Sequence, residues 1–395
     1  MVLSENYLQD LISEAKNRGG GIVLNSNDKP ELVVLTIDRY NQLLAKINQQ
    51  PSEDQVLENQ ITQTQETKTI LVTGGAGYIG SHAARELLKN GFKVIIIDNL
   101  STGLKENLPE GALFFEGDIA DTNFLHDIFA NKQIYAVMHF AASLEVGESV
   151  KFPDKYLKNN VLNTANLLSV MKEYGVNKII FSSTAAVYGE QEIIPIPENA
   201  KLKPDNPYGF SKVLTEKIIK YYCQFLNFHA IIFRYFNACG TDFDGKIKSS
   251  YNSHIIPTVL KVASGEKPYL EIFGHDYNTA DGTCVRDYVH VLDIARAHVL
   301  AVSALEQDNA FNVYNIGTGK GHSVREIINT ASEILNKIIP MEISQRRPGD
   351  AAITVANNQK IISELKFNLQ YSDLETIIKT SWNQKQLELS AQKNI

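Results

Sequence analysis

From residue 69 onward, short apolar runs alternate with helix-length segments. Thr69–Thr73, Lys93–Ile97, Leu113–Glu116, Ala136–His139 and Lys178–Ser182 each read as a strand, and the alternation predicts a parallel sheet wound by helices. Past Gly240 the regularity fades, which predicts a smaller lobe built from several returning segments. Ahead of the sheet, Leu3 to about Lys16 carries helical periodicity and stops at Arg18 and the glycines Gly19 to Gly21. Two short strands, Ile22–Leu24 and Leu32–Thr36, are expected to flank the turn-rich Asn25–Pro30, with a second helix over Ile37–Ile47. The stretch NQQPSEDQVLENQITQTQETK is too polar to bury and has no strong period. The pattern therefore divides the chain into a small α+β module over 1–50, a polar linker over 51–67, a doubly wound α/β lobe over 68–240 and a smaller lobe over 241–395.

The strand TILVT runs into Gly74, Gly75, Ala76, Gly77, Tyr78, Ile79 and Gly80, and SHAARELLKNG reads as a helix ending at Gly91. Glycines at 74, 77 and 80 allow a tight turn, close approach of a pyrophosphate and packing of helix on strand, while the helix N-terminus attracts the anion. A tight turn alone would explain the glycines; the context adds to them. The next strand, KVIIID, ends in Asp98, placed to accept hydrogen bonds from adenosine ribose hydroxyls and to repel a 2'-phosphate. Together these predict a Rossmann-like lobe that binds NAD in preference to NADP, against the plainer reading of a solvated acid at a strand end.

In DNPYGFSK a helix is expected to start with Asn206 as cap and Pro207 in its first turn. Tyr208 and Lys212 then stand at i and i+4 on one face. A phenol is a poor base at neutral pH, but an ammonium and a nicotinamide cation nearby both favour the phenolate. On an amphipathic surface helix the same spacing means nothing. Its position, one crossover after the strand-like KIIFSSTAAVYG, gives it weight: Ser182, Ser183 and Thr184 fall at the carboxyl end of that strand, where open parallel sheets bind ligands. Thr184 is expected to relay a hydrogen bond between a substrate hydroxyl and Tyr208; the alternative is a hydroxyl that caps the strand end.

Hydrophobic residues make up 44% of the 395, enough for a full-sized core, and the formal charge of -7 comes with scattered Lys and Arg, which argues against nucleic acid as a partner. Cys223, Cys239 and Cys284 form no CxxC pair and are odd in number, which fits free thiols in a reducing compartment and no metal site. The opening MVLSENYLQD holds acids where a secretion signal has a basic start, and no apolar run approaches a membrane span, so a cytoplasmic location is expected.

The segments VTGGAGYIGSH, IIIDNLSTG, FEGDI, MHFAASLEVGESV, FSSTAAVYGE, NPYGFSK, RYFNACG, DGTCVRDYVHV, YNIGTG and RRPGD together resemble the extended short-chain dehydrogenase/reductases, and within them the UDP-glucose (UDP-galactose) 4-epimerases, from about residue 69 to the C-terminus. The resemblance implies an NAD-dependent isomerase that interconverts UDP-galactose and UDP-glucose by transient oxidation at C4', commonly a homodimer. It places Tyr78, Ile79, Asp98, Asn99, Asp118, Ile119, Phe140, Ala141, Asn159, Lys212 and Phe236 against NAD. Asn237, His254, Phe273, Arg286, Arg347 and Asp350 fall where the family holds the UDP moiety, which makes 241–395 mainly a UDP-sugar-binding lobe. Arginines suit a diphosphate, an aromatic suits uracil and an acid suits ribose hydroxyls. The chain also departs from the pattern. Asn163 replaces a small residue near the cofactor, Leu144 stands where some members have lysine, and Thr354 stands where some carry a bulky tyrosine beside the sugar. The smaller Thr354 suggests room for an N-acetyl group. UDP-pentose, UDP-uronate and UDP-N-acetylhexosamine 4-epimerases therefore stay open. A 4,6-dehydratase is disfavoured, because that related group carries an Asp-Glu pair after the strand-end threonine and this chain has Ala185 and Ala186.

SEAKNRGGGIVLNSNDKPELVVLTIDRYNQLL resembles Phd/YefM-type antitoxins, which are dimerising DNA-binding modules. With few basic residues there, a dimerisation or regulatory appendage is expected ahead of DNA binding. A cofactor-sensing regulator is the alternative from a different class, and an intact Tyr208 and Lys212 argue against it.

Overall fold

The computed structural model describes residues 21–26, 29–35, 68–248, 254–307, 309–347 and 350–393. The chain divides into two compact units, Met1–Thr64 and Gln65–Ile395. In the first, β1 (Gly21–Ser26) pairs antiparallel with β2 (Lys29–Leu35), with a register shift between Leu24 and Asn25. The ladder runs further toward its tip than the sequence indicated, because Asn25 pairs with Pro30 and Ser26 with Lys29. The helices expected over 3–16 and 37–47, and the 51–67 linker, lie outside the described residues.

The second unit is built on a parallel sheet. Its strands are β3 (Thr69–Thr73), β4 (Lys93–Asp98), β5 (Leu113–Glu116), β6 (Ala136–His139), β7 (Lys178–Thr184), β8 (His229–Tyr235) and, after β9 (Asn237–Cys239), β10 (Leu270–Phe273) and β11 (Val285–His290), a last strand β12 (Phe311–Ile316). The order across the sheet is β12-β8-β7-β6-β3-β4-β5, every pairing parallel. Such strands are buried on both faces, which is why TILVT, KVIIID and KIIF read as unbroken apolar runs. Leu71, Ile95, Ile97, Val137, Ile179 and Ile232 join one core with Leu125 and Ile128 of α2 (Thr122–Asn131), Leu167 and Leu168 of α3 (Asn163–Glu173) and Ile219 of α4 (Pro207–Phe225). Elsewhere α1 (Tyr78–Lys89) packs against α6 (Val291–Ala304), the fifth labelled helix being α5 (Ile255–Ala263). The α6 residue His298 brings its ring within 4.9 Å of Phe233 and 4.8 Å of Phe140.

Two sheet strands were not picked out in the sequence, β8 and β12, and β12 comes from beyond residue 240. The doubly wound lobe thus draws on residues 291–316 as well as 68–240. The smaller lobe holds the parallel pair β10 and β14 (Met341–Ser344), and a sheet of β13 (Gly321–Ser323), β11 and β15 (Ile353–Thr354), with β9 also on β11. Its core joins Ile256, Val259 and Leu260 of α5, Ile327 and Ile328 of α7 (Val324–Leu335), and Ile377 and Ile378 of α8 (Leu374–Lys393). The chain crosses between lobes at Phe236. Tyr235 still pairs in the large sheet with Thr184 and Ile316, and Asn237 already pairs with Tyr288 in the small one.

Candidate active site

Strand order reverses direction between β3 and β6, so a crevice opens at their carboxyl ends, the place where such sheets bind ligands. Gly74 turns there with φ +72, and a Cβ on it would stand 2.6 Å from the Ala141 nitrogen. A Cβ on Gly80 would collide with the Gly74 carbonyl, whereas one on Gly77 would meet only that oxygen, at 3.2 Å. Two glycines are therefore required by packing, and the third leaves the crevice side bare. Helix α1 starts at Tyr78 with Gly77 as N-cap, no side-chain cap and no acid in its first turn. The open amides of its first turn and the positive helix end suit a pyrophosphate.

Asp98 is not the solvated acid of the plainer reading. It is 8% exposed, and accepts from the amides of Ala76 (3.0 Å) and Leu100 (2.9 Å). Burial raises its carboxyl above the ordinary value, and amides including that of Gly77 pull it back. The carboxylate so braces the glycine turn while facing the crevice. Asn99 donates to Asp118 (2.7 Å) and so ties the ends of β4 and β5 together over the same space. The glycine cradle, the open helix end and the acid at β4 fit a dinucleotide.

At the end of β7, Lys212 of α4 donates its Nζ to the Ser182 carbonyl at 2.7 Å and lies 4.7 Å over the Phe181 ring. The lysine is 2% exposed, and burial pushes its pKa down to about 7 against the pull of the Glu216 carboxylate. Asn206 caps α4 by accepting from the Gly209 amide (2.8 Å), with Pro207 at the first position, as the sequence predicts. That start puts Tyr208 at the cavity wall, its ring edge-on to Tyr156 at 6.3 Å. The Thr184 oxygen accepts from the Ala186 amide (3.1 Å), so the strand-end cap is real, and its hydroxyl hydrogen remains available for a relay. Ala185 and Ala186 line the cavity without any acid or base.

On the opposite wall, Arg286 and Thr354 are register partners of the parallel pair β11 and β15, so their side chains share one face. Arg286 pairs with Asp350 at 3.5 Å, and the Arg347 guanidinium stacks 3.7 Å over Phe273. Arginine therefore lies on one face of the aromatic expected to meet uracil. Asn237 donates to the Asp287 carbonyl (3.0 Å), and His254, at the N-cap of α5, has its pKa lowered by desolvation against the opposing pull of Glu145.

One cavity of about 1670 Å³ is lined by each of the catalytic, cofactor and substrate residues expected from the sequence: Gly74, Gly77, Tyr78, Ile79, Gly80, Asp98, Asn99, Asp118, Ile119, Phe140, Ala141, Asn159, Thr184, Tyr208, Lys212, Phe236, Asn237, His254, Phe273, Arg286, Arg347, Asp350 and Thr354. Others escaped the sequence reading. Residues Leu157–Leu162 form a π-helical turn, a widening common at functional sites. It sets Asn160 to donate to the Ser143 carbonyl (2.9 Å) and the Ser211 hydroxyl (3.0 Å). Asn163 donates to Asn159 Oδ1 at 3.3 Å, and Asn159 to the Ser143 hydroxyl at 3.0 Å. The departure at 163 thus places a polar brace where a small side chain would leave space. No group of metal-ligating side chains is present among the described residues.

A parallel sheet whose switch point holds a glycine cradle, with a tyrosine and a buried lysine one turn apart beside it, defines a dinucleotide-dependent α/β enzyme. The chain belongs to the NAD dependent epimerase/dehydratase family, whose pattern matches residues 70–317. It is 46% identical over 316 residues to the UDP-glucose 4-epimerase of Halalkalibacterium halodurans, covering 80% of this chain and 94% of that one. The crystal structure of UDP-glucose 4-epimerase from Brucella ovis in complex with NAD is 40% identical, with a TM-score of 0.77 over 80% of this chain and 98% of that one. For the Bifidobacterium longum UDP-glucose 4-epimerase in complex with NAD+ and UDP, the values are 37%, 0.76, 81% and 98%.

Proposed function

We propose that the chain is a UDP-glucose 4-epimerase, an isomerase that interconverts UDP-galactose and UDP-glucose with NAD held through turnover. The observation that carries this is the single cavity, in which the glycine cradle, the Tyr208–Lys212 helix start and the two arginines face one another. Gly74, Gly77, Gly80 and the first turn of α1 hold the pyrophosphate of NAD, with Asp98, Asn99 and Asp118 at its adenosine end. NAD bound there would supply the acceptor for the hydride of C4' and its later donor. Tyr208 takes the proton of the 4'-hydroxyl at its phenolic oxygen, with Thr184 as relay, and Lys212 steadies the phenolate by its charge. Arg286 and Arg347 keep the diphosphate in place while the 4-keto sugar turns to present its other face. Tyr208 then returns the proton. Ala185 and Ala186 offer no acid or base for expelling a 6'-hydroxyl, so the cycle ends in epimerisation.

Thr354 supports a wider sugar range, because it lines the cavity beside Arg286 with a small side chain. Turnover of UDP-N-acetylglucosamine is expected, and none in a substrate panel would remove that extension. A homodimer in the cytoplasm completes the reading. In its favour are the exposed Phe210, Tyr221 and Phe225 along α4, three free cysteines, and no described helix long and apolar enough to cross a membrane. Sedimentation at micromolar concentration checks the dimer.

The central test follows UDP-glucose formation from UDP-galactose by protein purified without added cofactor, beside Tyr208→Phe. Turnover in the parent and a loss of about a hundredfold or more in the variant are expected. Retained NAD with no reaction of either UDP-hexose would overturn the substrate assignment.

A further inference from the structure

Behind the cavity wall lies an ion pair that the cycle above does not use. Glu216 of α4 and Arg234 of β8 are each 4% exposed and meet through two bonds, Arg234 Nε to Glu216 Oε1 at 3.0 Å and Nη2 to Oε2 at 2.6 Å. Ser183, 2% exposed, donates its hydroxyl to the same Oε1. Arg234 Nη1 donates on to the Tyr188 hydroxyl and the Glu198 carbonyl, both at 2.9 Å, and Tyr188 donates to Asn315 of β12 at 2.6 Å.

The placement matters more than the pair itself. Lys212 and Glu216 are one helical turn apart on α4, and Ser182 and Ser183 are neighbours on β7. Helix and strand end are therefore clasped twice in succession, Lys212 on the Ser182 carbonyl and Glu216 on the Ser183 hydroxyl. Thr184 is the next residue, and Tyr208 is one turn earlier on the helix. A slip of α4 along β7 would separate Tyr208 from Thr184 and draw Lys212 off its carbonyl. A buried ion pair is a poor source of net stability, because desolvation offsets most of its attraction and apolar replacements of both partners are often neutral or better. Its geometric exactness is another matter, since a two-bond guanidinium–carboxylate fork fixes both groups.

We propose that Glu216, locked by Arg234, is a positioning residue for the Tyr208–Lys212 pair, holding α4 in register on the strand end that carries Ser182 and Thr184. The proposal rests on the catalytic roles assigned above. Glu216 also lies on the Lys212 side of the helix, where its charge favours the ammonium form against burial.

Three variants test it: Glu216→Gln, which keeps the shape and loses the charge; Glu216→Leu with Arg234→Met, which removes both charges together; and Ser183→Ala, which opens the clasp from the strand side. Each is measured for kcat, KM for UDP-galactose, Tm and NAD retained per chain. The double variant is expected to keep a Tm near that of the parent and its NAD, while kcat falls about ten- to a hundredfold and KM moves less than about threefold, the mark of lost alignment rather than lost binding. Ser183→Ala should lower kcat in the same direction by less. Wild-type kcat in a folded double variant would show the pair to be structural only and end the proposal. If neither Glu216 variant folds, wild-type kcat in Ser183→Ala ends it equally. Tyr208→Phe is run alongside: full activity there would sink the catalytic assignment itself, whatever the Glu216 variants do.

Discussion

Lys212 gives the site its character at the scale of single residues. It is buried, no carboxylate among the described residues forms an ion pair with it, and its Nζ donates to the Ser182 carbonyl, so burial pushes its pKa down to about 7. A structural lysine would gain nothing there, whereas an ammonium that must steady a phenolate works best where water does not screen it. Lys212→Met is therefore expected to raise Tm by removing a costly charge while lowering kcat about a hundredfold or more. Calorimetry and initial rates check the two together, and a fall in both would point to a structural lysine. Tyr208 and Lys212 were legible because their spacing is local. Asn160, Ser211 and the Ser182 carbonyl were not, since their partners lie on other elements and no sequence spacing encodes them.

Among the elements, α4 shows how local signals set a functional geometry. Asn206 and Pro207 fix where the helix begins, and that start sets which face Tyr208 and Lys212 share. Asn206→Ala removes the cap at a cost of about 1 kcal/mol, read as a drop in Tm, and kcat is expected to fall beyond what lost folded protein explains. An unchanged kcat with the lowered Tm would mean the first turn holds without its cap. β12 shows the opposite case. FNVYNI carries Asn312 and Asn315, which break the apolar run that marks a buried strand, yet they are 4% and 0% exposed. Asn312 exchanges bonds with Asn309, and Asn315 with Tyr188, Ile196 and Glu198. These polar groups are satisfied by partners up to 127 residues away, which only the folded chain supplies. The π-helical turn at Leu157–Leu162 was hidden for a related reason, since its side chains read as ordinary helix.

Over the whole molecule, burial sets the response to acid. His82 and His139 are held neutral with pKa values lowered to about 3, and His290 and His298 to about 4, desolvation being the main cause in each. His139 sits between Thr73 (2.6 Å) and Thr164 (2.7 Å), and His298 bonds Tyr235 (2.7 Å). Their folded pKa values lie below the unfolded value of about 6.5, so the unfolded chain binds protons that the folded one refuses. Stability is complete above about pH 6.5 and is lost as pH falls from there toward 4 and 3, each histidine removing about 1 kcal/mol per pH unit in that window. Tm is expected to drop steeply between pH 6.5 and 5, and His139→Gln should flatten part of the slope. An unchanged Tm across that range would contradict neutral buried histidines.

The sequence by itself determined the class of fold, the glycine turn with Asp98 at the next strand end, and the Tyr208–Lys212 face. Each of these depends on residues close along the chain, where periodicity and steric limits act directly. Tertiary structure alone decided that β12 and α6 return from beyond residue 240 to the large sheet, and that Phe236 marks the crossing between lobes. It also decided that Arg347 lies on Phe273, and that Glu216 of α4 meets Ser183 of β7 and Arg234 of β8. These contacts join segments far apart in the chain, and their energies come from burial and desolvation that exist only once both sides are folded together.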